Sequence, residues 1–291
     1  MKVEEQYLAL LDRIITRGTK KEDRTGIGTY SVFGAEIRHD MADGFPLITT
    51  RQAPYKGVRV ELDGFIHSVT NKQWFHDNGC FFWDRWARRD KVSYANDEKT
   101  KAIMRAFIDL GPIYGFQWKH FGAKYINCHT DYAGQGIDQL AKAIETLKRD
   151  SDSRKVHVSA WNPEQLHMMA IEPCHYGFTL NISDGRLNLA WSQRSVDTPI
   201  GLVSNLASYA TLNHLLSKIL GLNEGKVVGH LEDVHIYLNQ VDKVKEQLGR
   251  EPKKLPKIVT KKFITIDDWT FDKTELIDYH PHPKIDYPLA I

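Results

Sequence analysis

Residues 155–161 (KVHVSAW), 176–183 (YGFTLNIS) and 186–195 (RLNLAWSQRS) decide the fold. Each stretch alternates apolar and polar side chains with a period of two, which is how a half-buried strand reads. Asp184-Gly185 separates the second from the third. A two-residue hairpin loop needs positive φ at both positions, which Asp and Gly tolerate, so these runs predict an antiparallel pair. Working outward, 203–220 is a long apolar helix stopped by Gly221, and VVGHLEDVHIY (227–237) is a further strand leading into a helix near 238–248. Toward the N-terminus, 137–150 is a clean amphipathic helix, and 55–69 reads as helical although Gly64 costs about 1 kcal/mol relative to Ala. TYSVFGAEIRHD (29–40) and FPLITT (45–50) read as strands, 3–17 as a helix ended by Gly18, and 88–109 as an inserted surface helix or loop. The tail carries prolines and short strands. Helices and strands mix without strict βαβ alternation, so the expected class is α+β, a single domain over 1–291 built on one large mixed sheet.

The chain has 291 residues, 42% hydrophobic and 26% charged, enough for a sizeable core. A net charge of +2 provides no basic field for nucleic acid. An anionic small molecule would instead need a local Arg/Lys cluster. Three cysteines, Cys80, Cys128 and Cys174, do not make a disulfide framework and point to a reducing compartment. The opening MKVEEQYLALLDRIITRG places acids where a signal peptide needs bases. No apolar run approaches the length that crosses a membrane, so a cytosolic location is expected.

Candidate chemistry begins at EPCHYG. Cys174 lies just before a strand, and a thiolate nucleophile needs nearby cations to lower its pKa. A lone cysteine is more often a buried, half-apolar side chain. His175 is no protease-like partner on adjacency alone, because neighbours on a strand point to opposite faces. Arg194 and Ser195 in QRSVD form a good phosphate-binding pair, the guanidinium fork matching phosphate oxygens. Arg24 in DRTG and Arg154 and Lys155 in DSRK are similar candidates, although each alone reads first as a solvated charge. No metal is expected: Cys80 and His76 share helical spacing but lack a second pair. TGIG has neither the length nor the lysine of a P-loop.

Taken in order, DRTGIGTYSVFG, DGFPLITT, FWDRWA, LGPIYGFQW, DSRKVHVSAWN, PCH, QRSVD, LVSNLASYATL, DVHIYLNQ, REPKKLPK and the terminal PLAI resemble the thymidylate synthase family over almost the whole chain. The resemblance implies a one-carbon transferase that uses 5,10-methylene-tetrahydrofolate and acts on dUMP. It also implies a homodimer paired through the sheet, with Arg154 and Lys155 acting across the interface. By the same resemblance Cys174 attacks C6 of the pyrimidine, with His175 beside it. Arg24, Arg194 and Ser195 hold the 5′-phosphate, and His235 and Tyr237 the ribose 3′-hydroxyl. Glu61 and Tyr114 handle protons near C5. Trp83 and Asp197 face the folate, and the carboxylate of Ile291 closes over the site. Asn205 selects the base, since an amide donates to uracil O4 and accepts from N3–H, whereas cytosine presents the reverse. Lys155 stands where the family usually has a second Arg and lacks the fork.

Three departures bear on the product. After Glu61 the family usually has Leu-Leu-Trp-Phe, and here the sequence is Leu62-Asp63-Gly64-Phe65. Gly-x-Pro-Phe-Asn becomes Gly201-Leu202-Val203-Ser204-Asn205, and a Gly-Asp becomes Glu232-Asp233. Losing bulk beside catalytic positions predicts a roomier, wetter site, with Ser204 and Asp63 able to position water. Water capturing the electrophilic methylene at C5 would give 5-hydroxymethyl-dUMP, whereas hydride gives dTMP. The sequence is therefore expected to encode a phage-type deoxyuridylate hydroxymethylase, with an ordinary thymidylate synthase as the alternative. A silent binding protein or RNA-contacting regulator is disfavoured by the complete set Cys174, Glu61, Asn205, Asp197 and His235.

Overall fold

The computed structural model describes residues 1–23, 25–86 and 97–290. Its elements in chain order are α1 (Val3–Arg17), β1 (Thr19–Lys21), β2 (Thr29–Asp40), α2 (Tyr55–Ile66), α3 (Lys72–Asp77), α4 (Glu98–Phe107), α5 (Tyr114–His120) and α6 (Gln139–Arg149). They continue with β3 (His157–Ser159), β4 (His175–Ser183), β5 (Arg186–Asp197), α7 (Val203–Leu220), β6 (Asn223–Tyr237), α8 (Val241–Leu248), β7 (Lys257–Thr260) and β8 (Thr274–Ile277). Six strands form one mixed sheet in the order β1-β2-β6-β5-β4-β3, and β7 and β8 form a separate hairpin. This is the expected α+β layout around one sheet.

Within that sheet only β5 and β6 run parallel, and a parallel neighbour needs a crossover. Helix α7 supplies it. It is buried on nearly every side from Val203 to Ser217, as a helix hydrophobic all round should be. Gly221, at φ 67°, ends it in the left-handed conformation that a side chain would resist. The hairpin between β4 and β5 turns at Asp184 and Gly185, both at positive φ as expected.

This parallel pairing builds one end of the molecule. Ser195 lies opposite Asp233 and Asp197 opposite His235, while His175 at the start of antiparallel β4 lies opposite Gln193. Residues 174, 194, 195, 197, 235 and 237 therefore converge although 63 positions separate the ends of that list, because three strands begin or finish there.

The structure corrects the strand expected over 45–50. Phe45, Leu47, Ile48, Thr49 and Thr50 are buried, but they make an extended loop. The backbone N–H groups of Thr49 and Thr50 donate to buried Glu4 at 2.7 and 2.6 Å, and the Thr49 hydroxyl donates to its other oxygen at 2.8 Å. A carboxylate on α1 thus takes donors that a neighbouring strand would have taken. The segment expected as a surface insertion is helical over 98–107 and sends Met104 into the core, while 88–96 lie outside the described residues. No helix is long and apolar enough to cross a membrane among the described residues.

Candidate active site

Cys174 is half-buried at the entrance to β4 and is clamped through its backbone. Its N–H donates to the Tyr114 hydroxyl at 2.9 Å, and its carbonyl accepts from the Arg194 N–H at 2.9 Å. The Arg194 side chain folds back over the same segment. Its Nε donates to Pro173 O at 3.0 Å and Nη2 to Glu172 O at 2.8 Å, while the guanidinium lies 5.7 Å from the Trp161 ring centroid. A cation is held by carbonyls and an aromatic face beside a thiol. That arrangement sets positive charge on the segment carrying the thiol and can receive an anion.

His175 points the other way, as strand alternation requires. Its Nδ1 lies 2.8 Å from the Tyr209 hydroxyl and its ring stacks on Tyr114 with centroids 4.3 Å apart. Burial pushes its pKa down to about 3, so the imidazole is neutral and supports the wall behind Cys174. Tyr114 also stacks on Phe65 at 4.9 Å, and burial keeps its phenol protonated far above its ordinary range.

Glu61 sits on α2 against this wall. Burial pushes its carboxyl up to about 8, partly offset by the Trp83 indole N–H. That N–H stands outside hydrogen-bonding geometry with any described group and is itself buried. A carboxyl that is protonated near neutral pH can both give and take a proton there. The orphaned indole donor is a buried polar atom that a ligand acceptor would satisfy.

Asn205, at the start of α7, has its amide oxygen fixed by Gln193 Nε2 at 3.0 Å. Gln193 is fixed in turn: Trp191 Nε1 donates to its Oε1 at 3.1 Å, and its Nε2 also reaches Ser195 O at 3.1 Å. Across β6, His235 Nδ1 lies 3.1 Å from Asp233 Oδ1, and its ring meets Tyr237 edge-on at 5.3 Å. His235, with Lys21 and Ser31, holds the Asp233 carboxyl well below the usual carboxylate range. Asp197 lies opposite, its pKa raised by burial, accepting from Ile200 N at 3.3 Å and Gln240 Nε2 at 3.0 Å.

Cys174, Arg194, Ser195, Asn205, Asp197, His235, Tyr237, Glu61 and Tyr114 thus occupy the strand ends and the helices covering them, with Trp83 on the turn after α3. Arg154 and Lys155 do not join them. Both are exposed just before edge strand β3. Arg24 and Ile291 lie outside the described residues. Among the described residues no His, Cys, Asp and Glu cluster is arranged for a metal, and His76 pairs with Asp84 at 3.0 Å.

At Gly64 the departure opens no space. A Cβ on Gly64 would lie 2.5 Å from Phe75 Cζ and closer still to Cε1, with Trp74 Cζ3 at 3.2 Å. Fully buried Phe75 therefore occupies the volume that the glycine vacates. Asp63 turns away from Glu61, taking His67 Nδ1 at 2.6 Å and Phe271 N at 2.7 Å. Ser204 returns its hydroxyl to Ile200 O at 3.4 Å, and Glu232 accepts from the Tyr176 hydroxyl at 2.7 Å. Each new polar group has a partner within the fold, and at Gly64 the expected loss of bulk is corrected by the Phe75 ring.

Gln193, Tyr209 and Gln240 escaped sequence reasoning. For Gln193 a signal existed: Leu187, Leu189 and Trp191 mark the inward face of β5, and position 193 continues it with a polar side chain. A buried amide in that series needs partners.

The family model for thymidylate synthase matches residues 5–291. The chain is 40% identical over 290 residues to the thymidylate synthase of Homo sapiens, covering 98% of this chain and 90% of that protein. It is 40% identical over 286 residues to thymidylate synthase 1/2 of Encephalitozoon cuniculi (strain GB-M1), covering 97% and 95%. It is also 40% identical over 288 residues to a bifunctional dihydrofolate reductase-thymidylate synthase of Paramecium tetraurelia. There it covers 99% of this chain but 61% of the longer relative.

Proposed function

The chain belongs to the thymidylate synthase family, and from that premise we propose that it converts dUMP to dTMP by reductive methylation at C5. The observation carrying this reading is the filled space at Gly64, three residues along α2 from Glu61. Phe75 stands where bulk was thought lost, and Asp63, Ser204 and Glu232 are bonded away from the cavity. A site that excludes water favours hydride over hydration of the electrophilic carbon. The curated relatives, all named for thymidylate synthase, support the methylating reading over the hydroxymethylating one.

In this reading Cys174 adds through sulfur to C6 of the pyrimidine, shifting electron density to C5. Arg194, fixed over the cysteine segment, favours the thiolate and with Ser195 receives the 5′-phosphate. Arg24 joins them. Arg154 of the partner subunit completes the phosphate site in a homodimer paired through the outer sheet face, and Lys155 of the partner subunit lends charge. That face displays Phe33 at 81% exposure, an apolar side chain suited to burial against a second copy. Asn205 reads the uracil edge, and His235 and Tyr237 hold the 3′-hydroxyl. Glu61, poised near neutral pH, moves protons at O4 and C5, while Tyr114, a neutral phenol, donates or relays. His175 acts as a support. The 5,10-methylene-tetrahydrofolate co-substrate supplies the one-carbon unit and the hydride. Trp83 and Asp197 face it, and the Ile291 carboxylate closes the tail. A reducing, cytosolic setting suits the thiolate.

The test follows both products. Incubation with dUMP and methylene-tetrahydrofolate should give dihydrofolate absorbance in step with a product of dTMP mass. Tetrahydrofolate accompanied by a hydroxymethyl product would overturn the reading.

A further inference from the structure

Gln240 has no role in the reaction described above, yet it is fully buried at the point where three site segments meet. It closes the short helical turn Leu238–Gln240 between β6 and α8. Its Oε1 accepts from Tyr237 N at 3.1 Å, while Nε2 donates to Asp197 Oδ2 at 3.0 Å and to Pro288 O at 3.1 Å. A primary amide has two hydrogens on nitrogen, so each acceptor receives its own. One side chain therefore ties the end of β6, the carboxylate at the end of β5, and the tail.

The tail is seated as far as this bond. Ile285 is buried, and the Tyr287 hydroxyl donates to Gln247 Oε1 at 2.6 Å under the Arg51 guanidinium, 5.4 Å from its ring centroid. Beyond Pro288, Leu289 is exposed. Among the described residues, Gln240 to Pro288 is the last hydrogen bond along the tail.

We propose that Gln240 is a positioning residue that couples the tail to Asp197, so that a folate seated against Asp197 and the closing tail stabilise one another through a single amide. This rests on the proposed reaction. Its physical basis is that Nε2 has one alignment serving both acceptors. Fixing either acceptor orders the amide for the other, which is positive coupling between two binding events. Through Nε2 the amide acts on folate binding, while its Oε1 holds the Tyr237 N–H on the nucleotide side.

Gln240→Met keeps the volume and removes all three bonds. Gln240→Glu keeps an oxygen for the Tyr237 N–H and replaces the donor with a second carboxyl oxygen facing Asp197 Oδ2 and Pro288 O. Both should raise KM for methylene-tetrahydrofolate about tenfold or more, the cost of stranding buried acceptors, while KM for dUMP stays within about twofold in Gln240→Glu, which keeps the Tyr237 bond. Carboxypeptidase should also release Ile291 faster from either ligand-free variant than from the wild type. Deleting residues 288–291 should absorb most of the Gln240→Met effect, because coupled partners are non-additive. An unchanged folate KM with unchanged tail release would overturn the proposal, as would full additivity with the deletion. Failure of both variants to fold would make Gln240 a folding residue and would overturn it equally. A wild-type protein that made no product from dUMP would instead sink the reaction assignment, and the tail-release comparison would still decide the role of Gln240.

Discussion

Gln193 Nε2 donates to Asn205 Oδ1 at 3.0 Å, so a buried amide on β5 dictates which end of the Asn205 amide faces outward from α7. The partner leaves the Asn205 amide nitrogen for a ligand acceptor, while its oxygen has a second lone pair for a ligand N–H. That is the uracil pattern. For Asn205→Asp we expect Gln193 to keep its acceptor, and the new carboxyl to meet the cytosine amino group. Mispairing of a buried group costs about 1–3 kcal/mol, so the dUMP to dCMP preference should fall by roughly ten- to hundredfold. Competition kinetics with both nucleotides would measure this, and an unaltered preference would contradict the pairing.

Gln193 also illustrates what the sequence made legible. Strand periodicity placed β2, β4, β5 and β6, and Asp184-Gly185 placed their central hairpin, because these features are local and repeat with period two. The loop 45–50 read as a strand because its apolar run is genuine. Its donors go to Glu4, more than 40 residues away, and no local pattern records that. The site divided in the same way. Cys174, Arg194 and Asn205 stood out within recognisable stretches, whereas Gln240 matters only because Asp197 and Pro288 come to it from distant parts of the chain. Gly64 was misjudged for the same reason: a missing side chain is visible in sequence, but the ring that fills its place is not.

Cys174→Ser should abolish nearly all turnover with the fold intact. The hydroxyl is smaller and far less acidic than the thiol, and the Tyr114 and Arg194 contacts run through the backbone of residue 174, which the substitution keeps. Mass spectrometry after incubation with 5-fluoro-dUMP and methylene-tetrahydrofolate should find a covalent ternary adduct on the wild-type protein and none on the variant. Circular dichroism should be superimposable. An adduct at another residue would refute the nucleophile.

Glu61→Gln should separate stability from activity through pH. The wild-type carboxyl has its pKa raised from 4.5 to about 8 by burial, so between those values the native protein holds a proton that the unfolded chain releases. The stability this confers is complete below pH 4.5 and disappears as pH rises through about 8. A glutamine is neutral throughout and avoids the loss. The variant should therefore gain stability over the wild type as pH increases, by an amount on the order of a few kcal/mol at pH 9, and little near pH 4.5. Turnover should fall by about 10²-fold or more at every pH, since general acid–base help of that size is lost. Thermal melts across pH 4.5–9 check the first effect, and a stability difference that stays constant across that range would argue that Glu61 is ionised in the folded protein.

Gly64→Ala distinguishes a filled cavity from an empty one. In an empty pocket the added methyl would be neutral or stabilising, because Ala is favoured over Gly inside a helix by about 1 kcal/mol. Here the methyl would collide with the Phe75 ring, which is fully buried and braced edge-on by Trp74 at 5.3 Å and Phe65 at 6.5 Å. A ring held on two sides cannot step aside cheaply, and overpacking typically costs about 1–3 kcal/mol. The variant should melt several degrees lower than the wild type despite the gain in helix propensity. Its product should remain dTMP. Phe75→Ala should do the opposite to the cavity, opening space behind Glu61 and admitting water. The fraction of hydroxymethyl product should then rise from its wild-type level, read by mass spectrometry of the nucleotide. If Phe75→Ala changes stability alone, with no hydroxymethyl product, exclusion of water by this ring is not what directs the intermediate to dTMP.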